Sequence, residues 1–277
     1  MKNSNSPNDS PVSFFTLTVL LSVPFYILNA LAYLNVFGKP KMGALYIALF
    51  TVTPIASASI LTFRRRGRQG LKELLGRIFD FKRITKGRWY IAIILLLPLF
   101  LLLSLAWIVL LGMPVPPPLT SLVALPAVFP FFFLLAAGEE VGWMGYAFEV
   151  MQTRDNALRA ALVLGMIWAF WHVPFFVFMM PDPIVLTAQF FTLIGIRVLM
   201  AWIFNNTGKS VFAVILFHAV DNTALVTFPD IKAITPWGSA IFCGLIMIAA
   251  FVVNLFWGSQ SLARYRFAVA CRLVKRK

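Results

Sequence analysis

The feature that most restricts this chain is a series of eight apolar stretches, near residues 13–36, 44–63, 89–112, 121–152, 157–180, 184–204, 210–228 and 238–257. A helix needs about 20 mostly apolar residues to cross a hydrocarbon core about 30 Å thick. The expected fold is therefore all-α, a polytopic transmembrane helical bundle of about eight spans. Composition agrees: 60% of the 277 residues are hydrophobic and 12% charged, against about 25% charged in soluble domains.

The net charge of +14 would suit nucleic acid if it were spread over one face. It is instead gathered into a run from Arg64 to Arg88 and a tail from Arg264 to Lys277, each beside a long apolar stretch. Positive-inside topology and contact with anionic lipids account for both, so no nucleic-acid partner is expected. In RRRGRQGLKELLGRIFDFKRITKGR, Leu71, Leu74, Leu75, Ile78 and Phe79 recur at helical spacing. That pattern is either an amphipathic interfacial helix or a plain surface loop. With this loop in the cytoplasm, eight spans place both termini there too, in a bacterial-type plasma membrane. Lys39 and Lys41 then fall outside, against the rule. The start, MKNSNSPNDS, has no small-residue cleavage site after its first apolar run, which reads as a retained span. Cys243 and Cys271 form neither a disulfide framework nor a metal cluster.

GMPVPPPLT breaks the chain between the third and fourth spans, and MPDP makes a tight turn after the fifth. The stretch 121–152 would be about 48 Å long as one helix. Pro126 and Pro130 are expected to kink it or to split an interfacial turn from the span. No internal repeat suggests an inverted-repeat transporter.

Charge is costly at membrane depth and usually faces a bundle interior or water cavity. The charged residues at such positions are Glu139, Glu140, Glu149, Arg197 and Asp221, and both histidines, His172 and His218, sit in apolar spans as well. Counted along ideal helices, Glu139 lies about 22 Å from Arg154, His172 about 20 Å from Arg159 and His218 about 14 Å from Lys209. A carboxylate and two imidazoles can thus share one level. His218 and Asn222, at i and i+4, share a helix face. Glu139 and Glu140 are about 100° apart and cannot both point at one atom.

Three strings carry a family resemblance: GEEVGWMGY around Glu139 and Glu140, WAFWH from Trp168 to His172, and HAVDN from His218 to Asn222. In order and spacing they resemble the CPBP family of intramembrane proteases, which includes the type II CAAX prenyl endopeptidases and the Abi proteins. Its pattern is Glu-Glu-x-x-x-Arg, Phe-x-x-x-His and His-x-x-x-Asn on separate helices. The resemblance implies that Glu139 activates water, His172 helps to hold it, His218 and Asn222 stabilise the oxyanion, and Glu140 supports the site beside the motif arginine. Here Met144 stands in place of that arginine and Trp168 in place of the Phe. Arg197 is the one spare intramembrane cation, able to take the arginine's part if its helix packs nearby.

Three parts are expected: N-terminal spans with the basic loop (1–120), a protease-like core (121–228), and a last span with the basic tail (229–277). The substrate would be a membrane-associated protein or peptide. The chemistry is either a metal-independent, glutamate-activated water or a zinc site held by Glu139, His172 and His218. The rival functions are a weakened family member serving in binding or bacteriocin immunity, and a proton-coupled carrier.

Overall fold

The computed structural model describes residues 10–34, 49–115, 117–231 and 236–263. The start of the second expected span (44–48), Lys39, Lys41, Cys271 and the basic tail lie outside the described residues. Among these residues the structure is all-helical: α1 (Pro11–Tyr33), α2 (Thr53–Gly76), α3 (Arg88–Leu110), α4 (Leu125–Gly142), α5 (Glu149–Arg154), α6 (Ala157–Met179), α7 (Pro183–Asn206), α8 (Val211–Thr227) and α9 (Pro236–Trp257). Six helical segments are long and apolar enough to cross a membrane, and α8 is a shorter apolar helix. With the first half of α2 these account for the eight expected spans, roughly as read from the sequence.

Helix starts follow from local chemistry. Pro11 and Pro183 occupy first-turn positions, where a missing N–H costs nothing. Asn156, Asp182 and Ser210 cap α6, α7 and α8 by accepting from backbone N–H groups. The α2 helix breaks at Gly67, whose φ of 62° is left-handed. Beyond the break the basic sequence does form a helix, with Leu74 buried and Leu71 and Leu75 half-buried. Its continuation is tied to the bundle. Arg77 donates to the carbonyls of Gly145 (2.9 Å) and Lys209 (2.8 Å) and pairs with Glu149 at 2.6 Å. Asp80 accepts from the Ser210 hydroxyl at 2.7 Å and from the Phe212 N–H at 3.0 Å.

Pro126 begins α4 after a short 3-10 turn at Leu122–Ala124, and Pro130 lies inside the helix. The main irregularity of this long segment falls elsewhere, in a π-helical stretch Trp143–Phe148 directly after the two glutamates. The α7 helix is the most enclosed span and packs chiefly between α6 and α9, while α4 packs on α2 and α8.

Two glycines set the approach of α4 to α2. A Cβ on Gly138 would sit 2.7 Å from the Thr51 carbonyl oxygen, and one on Gly142 would sit 2.6 Å from that of Pro54. Both obstacles are backbone and cannot rotate away. Gly142→Ala is therefore expected to lower stability by about 1–3 kcal/mol, as overpacking does. Thermal denaturation in detergent checks this; an unchanged melting temperature would show that the helices are not locked at this contact.

Candidate active site

Four helices deliver the intramembrane polar residues to one place. Glu139 and Glu140 lie near the C-terminal end of α4, both buried. The carboxylates diverge, as adjacent helical residues must. Glu139 lines a cavity of about 240 Å³, whose wall also carries Trp168 and His172 from α6, Ile196 from α7, and His218, Asp221 and Asn222 from α8. Glu140 lies behind that wall and makes the site's strongest contacts. Arg197 Nη1 donates to its Oε2 at 2.6 Å, and His218 Nδ1 bonds its Oε1 at 2.9 Å.

Arg197 has no exposed surface. Its Nε and Nη2 make no hydrogen bond among the described residues, but the guanidinium lies 4.0 Å over the ring of Trp168. The π-face supplies part of what solvent would otherwise give. Gly165 permits this: a Cβ there would approach Arg197 Cβ to 3.2 Å and Ile194 Cα to 3.0 Å.

Trp168 is the junction of the site. Its indole Nε1 donates to Glu139 Oε2 at 2.8 Å, and its ring stands edge-on to both imidazoles, 5.0 Å from His172 and 5.6 Å from His218 between centroids. Its backbone carbonyl, which can only accept, takes the His172 Nδ1–H at 2.9 Å. Neutral His172 therefore presents Nε2 as an acceptor.

The α1 helix steadies α6 beside His172. Pro174 cannot continue the backbone ladder. The Tyr26 hydroxyl donates to the Trp171 carbonyl at 2.7 Å, and Trp171 Nε1 donates to Ser22 Oγ at 2.8 Å. Ser22 in turn lies 2.8 Å from Thr53 Oγ1 of α2.

The metal set read from the sequence, Glu139, His172 and His218, differs in one residue from the group that the structure brings closest together. Glu139, Glu140 and His218 are the group whose ligand atoms lie within 4.8 Å of one another, close enough to hold a metal ion. His172 is not in that group; its Nδ1 bonds the Trp168 carbonyl, its ring stacks on Phe176, and its Nε2 stays open on the cavity wall. The group also fits zinc poorly as arranged. One Glu140 oxygen is neutralised by Arg197 and the other takes the His218 N–H, so a metal cation there would face the guanidinium across a shared carboxylate.

Other sequence candidates fall elsewhere. Glu149 belongs to the loop-facing end, paired with Arg77 and 3.6 Å from Lys209. Arg197 does pack against Glu140 and gives it a counter-charge, although Met144 occupies the motif position. The sequence reading gives Trp168 no part beyond standing in place of the motif Phe. Its signal was the indole N–H, which needs a partner when buried.

Residues 120–224 match the family model described as type II CAAX prenyl endopeptidase Rce1-like. Among curated proteins, the CAAX prenyl protease 2 of Methanococcus maripaludis is 24% identical over 223 residues, covering 74% of this chain and 79% of the relative. The resemblance carried by the three strings thus extends well beyond them.

Proposed function

We propose that this chain is an intramembrane endopeptidase of the CAAX protease type in which Glu139 activates the attacking water. The observation that carries the reading is the Glu139 carboxylate, buried in a mostly apolar cavity, with one oxygen held by Trp168 and with His172, His218 and Asn222 on the same wall. Water held between Glu139 and His172 Nε2 loses a proton to Glu139 as its oxygen adds to the substrate carbonyl. The Asn222 amide N–H and the Nε2–H of a protonated His218, whose Nδ1–H is held by Glu140, stabilise the oxyanion, where preorganised donors matter most. Glu139 then passes the proton to the departing nitrogen as the C–N bond breaks, leaving a carboxylic acid and an amine. Glu140 and Arg197 act through His218 as positioning residues. The core of this machinery is residues 121–228, with 1–120 and 229–277 as flanking spans, basic segments on anionic lipid and both termini in the cytoplasm.

The Arg197–Glu140 pair favours an active enzyme over a weakened binding-type member, because the change to Met144 does not strand a buried carboxylate. On the loop side of the glutamates Met144, Phe148, Phe204 and Val211 have no exposed surface, which counts against a carrier, since that needs access from both sides.

Cleavage of quenched fluorescent peptides, including a farnesylated C-terminal set, by protein purified in detergent tests the reading. Cleavage unaffected by a strong chelator is expected. Activity lost with chelator and restored by zinc would replace the glutamate-water mechanism with a metal site at Glu139, Glu140 and His218. Trp168→Phe is expected to keep the fold and lose the N–H to Glu139. A hydrogen bond to a charged group contributes about 1.5–3 kcal/mol, so kcat should fall about 10- to 100-fold. A wild-type kcat would show that Trp168 only fills space.

A further inference from the structure

Two side chains of the basic loop reach the helices that carry most of the site. After α2 the chain makes two short 3-10 turns, Arg77–Phe79 and Phe81–Arg83. The loop is rich in exposed cations, yet Arg77 and Asp80 turn inward, each side chain only 11% exposed.

Arg77 serves the helix of the glutamates. Its Nη1 donates to the Gly145 carbonyl at 2.9 Å and to the Glu149 carboxylate at 2.6 Å. Gly145 lies inside the π-helical stretch Trp143–Phe148, and Glu149 begins α5 directly beyond it. A π-helical turn of this kind is a rare, single-turn insertion into an α-helix. Losing it would move one flank against the other by one residue, about 100° around the axis. On the α4 side such a turn would take Glu139 from Trp168, and Glu140 from Arg197 and His218.

Asp80 serves α8. Its Oδ1 accepts from the Ser210 hydroxyl at 2.7 Å and from the Phe212 N–H at 3.0 Å, and its Oδ2 from the Val211 N–H at 3.3 Å. The first N–H groups of a helix have no partner within it, and that end favours a carboxylate. The cap is shared, since Ser210 Oγ accepts from the Ala213 N–H at 3.1 Å. His218 and Asn222 follow about two and three turns on. Arg77 Nη2 joins the two halves by donating to the Lys209 carbonyl at 2.8 Å, in the turn just before α8.

We infer that Arg77 and Asp80 are positioning residues of the reaction. They brace the π-helical stretch against the start of α8, and so fix Glu139 and Glu140 relative to His218 and Asn222. Both lie outside residues 120–224, which match the family model, so the working site extends beyond the matched core. The effect on rate rests on the protease reading, whereas the brace itself is measured without catalysis.

The test compares Arg77→Ala, Arg77→Lys, Asp80→Ala and Asp80→Asn in the full-length protein, with Lys72→Ala, an exposed cation of the same loop, as control. Misplacing catalytic groups by about 1 Å can cost about 10²-fold in rate. Arg77→Ala and Asp80→Ala are therefore expected to lower kcat about 10- to 100-fold with KM little changed. The conservative Arg77→Lys and Asp80→Asn should fall between them and wild type, and Lys72→Ala should match wild type. Hydrogen–deuterium exchange should become faster in peptides covering 138–149 and 208–218 of the alanine variants, and stay unchanged in α9. Should an alanine variant fail to accumulate, its conservative counterpart carries the same readings. A wild-type kcat, a change confined to KM, or exchange that rises throughout the chain overturns the inference. If the wild type cleaves no peptide, that counts against the protease reading, and exchange then decides on the brace: a local rise supports it and unchanged exchange overturns it.

Discussion

Arg197→Met is expected to destabilise the protein by about 3–5 kcal/mol, the cost of leaving one member of a buried ion pair uncompensated. Both partners are fully enclosed and the contact is 2.6 Å. The loss should appear as a melting temperature lowered by many degrees, or as failure to accumulate in the membrane. Two second-site changes separate the electrostatic account from mere loss of volume. Arg197→Met with Glu140→Gln removes both charges and should recover most of the stability. Arg197→Met with Met144→Arg returns a cation to the helix of Glu140, four residues on, and should recover stability if the guanidinium can reach the carboxylate. Met144→Arg alone is expected to be harmful, since Met144 is fully buried and Glu140 already has its counter-charge. If Arg197→Met melts like wild type, the pair does not hold the site together.

Glu139→Gln is expected to lower kcat by about 10²–10⁴-fold, the usual contribution of a positioned general base. The amide keeps the side chain's shape, and its oxygen can still accept from Trp168, so the cavity should survive. What disappears is the ability to take a proton from water. KM should change little, because the cavity's apolar lining toward Met179 and Leu225 is left as it is. A folded Glu139→Gln protein that cleaves at the wild-type rate would remove Glu139 from the chemistry and leave Glu140 or His172 to be tested as the base.

Much of the architecture could be read from the sequence because the length and apolarity of a span are local properties. The expected stretches near 89–112, 157–180, 184–204 and 238–257 fall on α3, α6, α7 and α9 with small shifts at their ends. The pattern around Leu71 and Leu74 leaves a helix and a surface loop open; a helix forms, with a break at Gly67 that the pattern does not show. A glycine among arginines there gives no apolar periodicity to interrupt. In the segment 121–152 the prolines are the visible helix breakers. Both are accommodated in or near the first turns, while the π-helical stretch follows Gly142, where α4 meets the start of α2 at backbone contact.

The site divides along similar lines. His218 and Asn222 are one turn apart, so their sharing of a wall follows from helix geometry. Glu139 and Glu140 had to diverge for the same reason. The pairing of Glu140 with Arg197 joins residues 57 positions apart on helices that are not consecutive. Sequence could offer it only as a condition on packing. Trp168 shows a different limit. The motif position marks it only as the residue in place of Phe, and the bond to Glu139 together with the stacked Arg197 depends on three helices meeting. Trp168 therefore bears directly on the cluster, and Arg197 on α7 supplies the counter-charge of Glu140 that Met144 cannot.

Whether Glu139 directs water onto a peptide bond is read from the product and from its dependence on this residue together. The purified protein is incubated with the peptide panel in water enriched in oxygen-18, and the fragments are identified by mass spectrometry for wild type and Glu139→Gln. The account predicts cleavage at an internal peptide bond by wild type, with one heavy oxygen in the new carboxylate, and almost no fragments from the variant. The same fragments formed at undiminished rate by Glu139→Gln would contradict it.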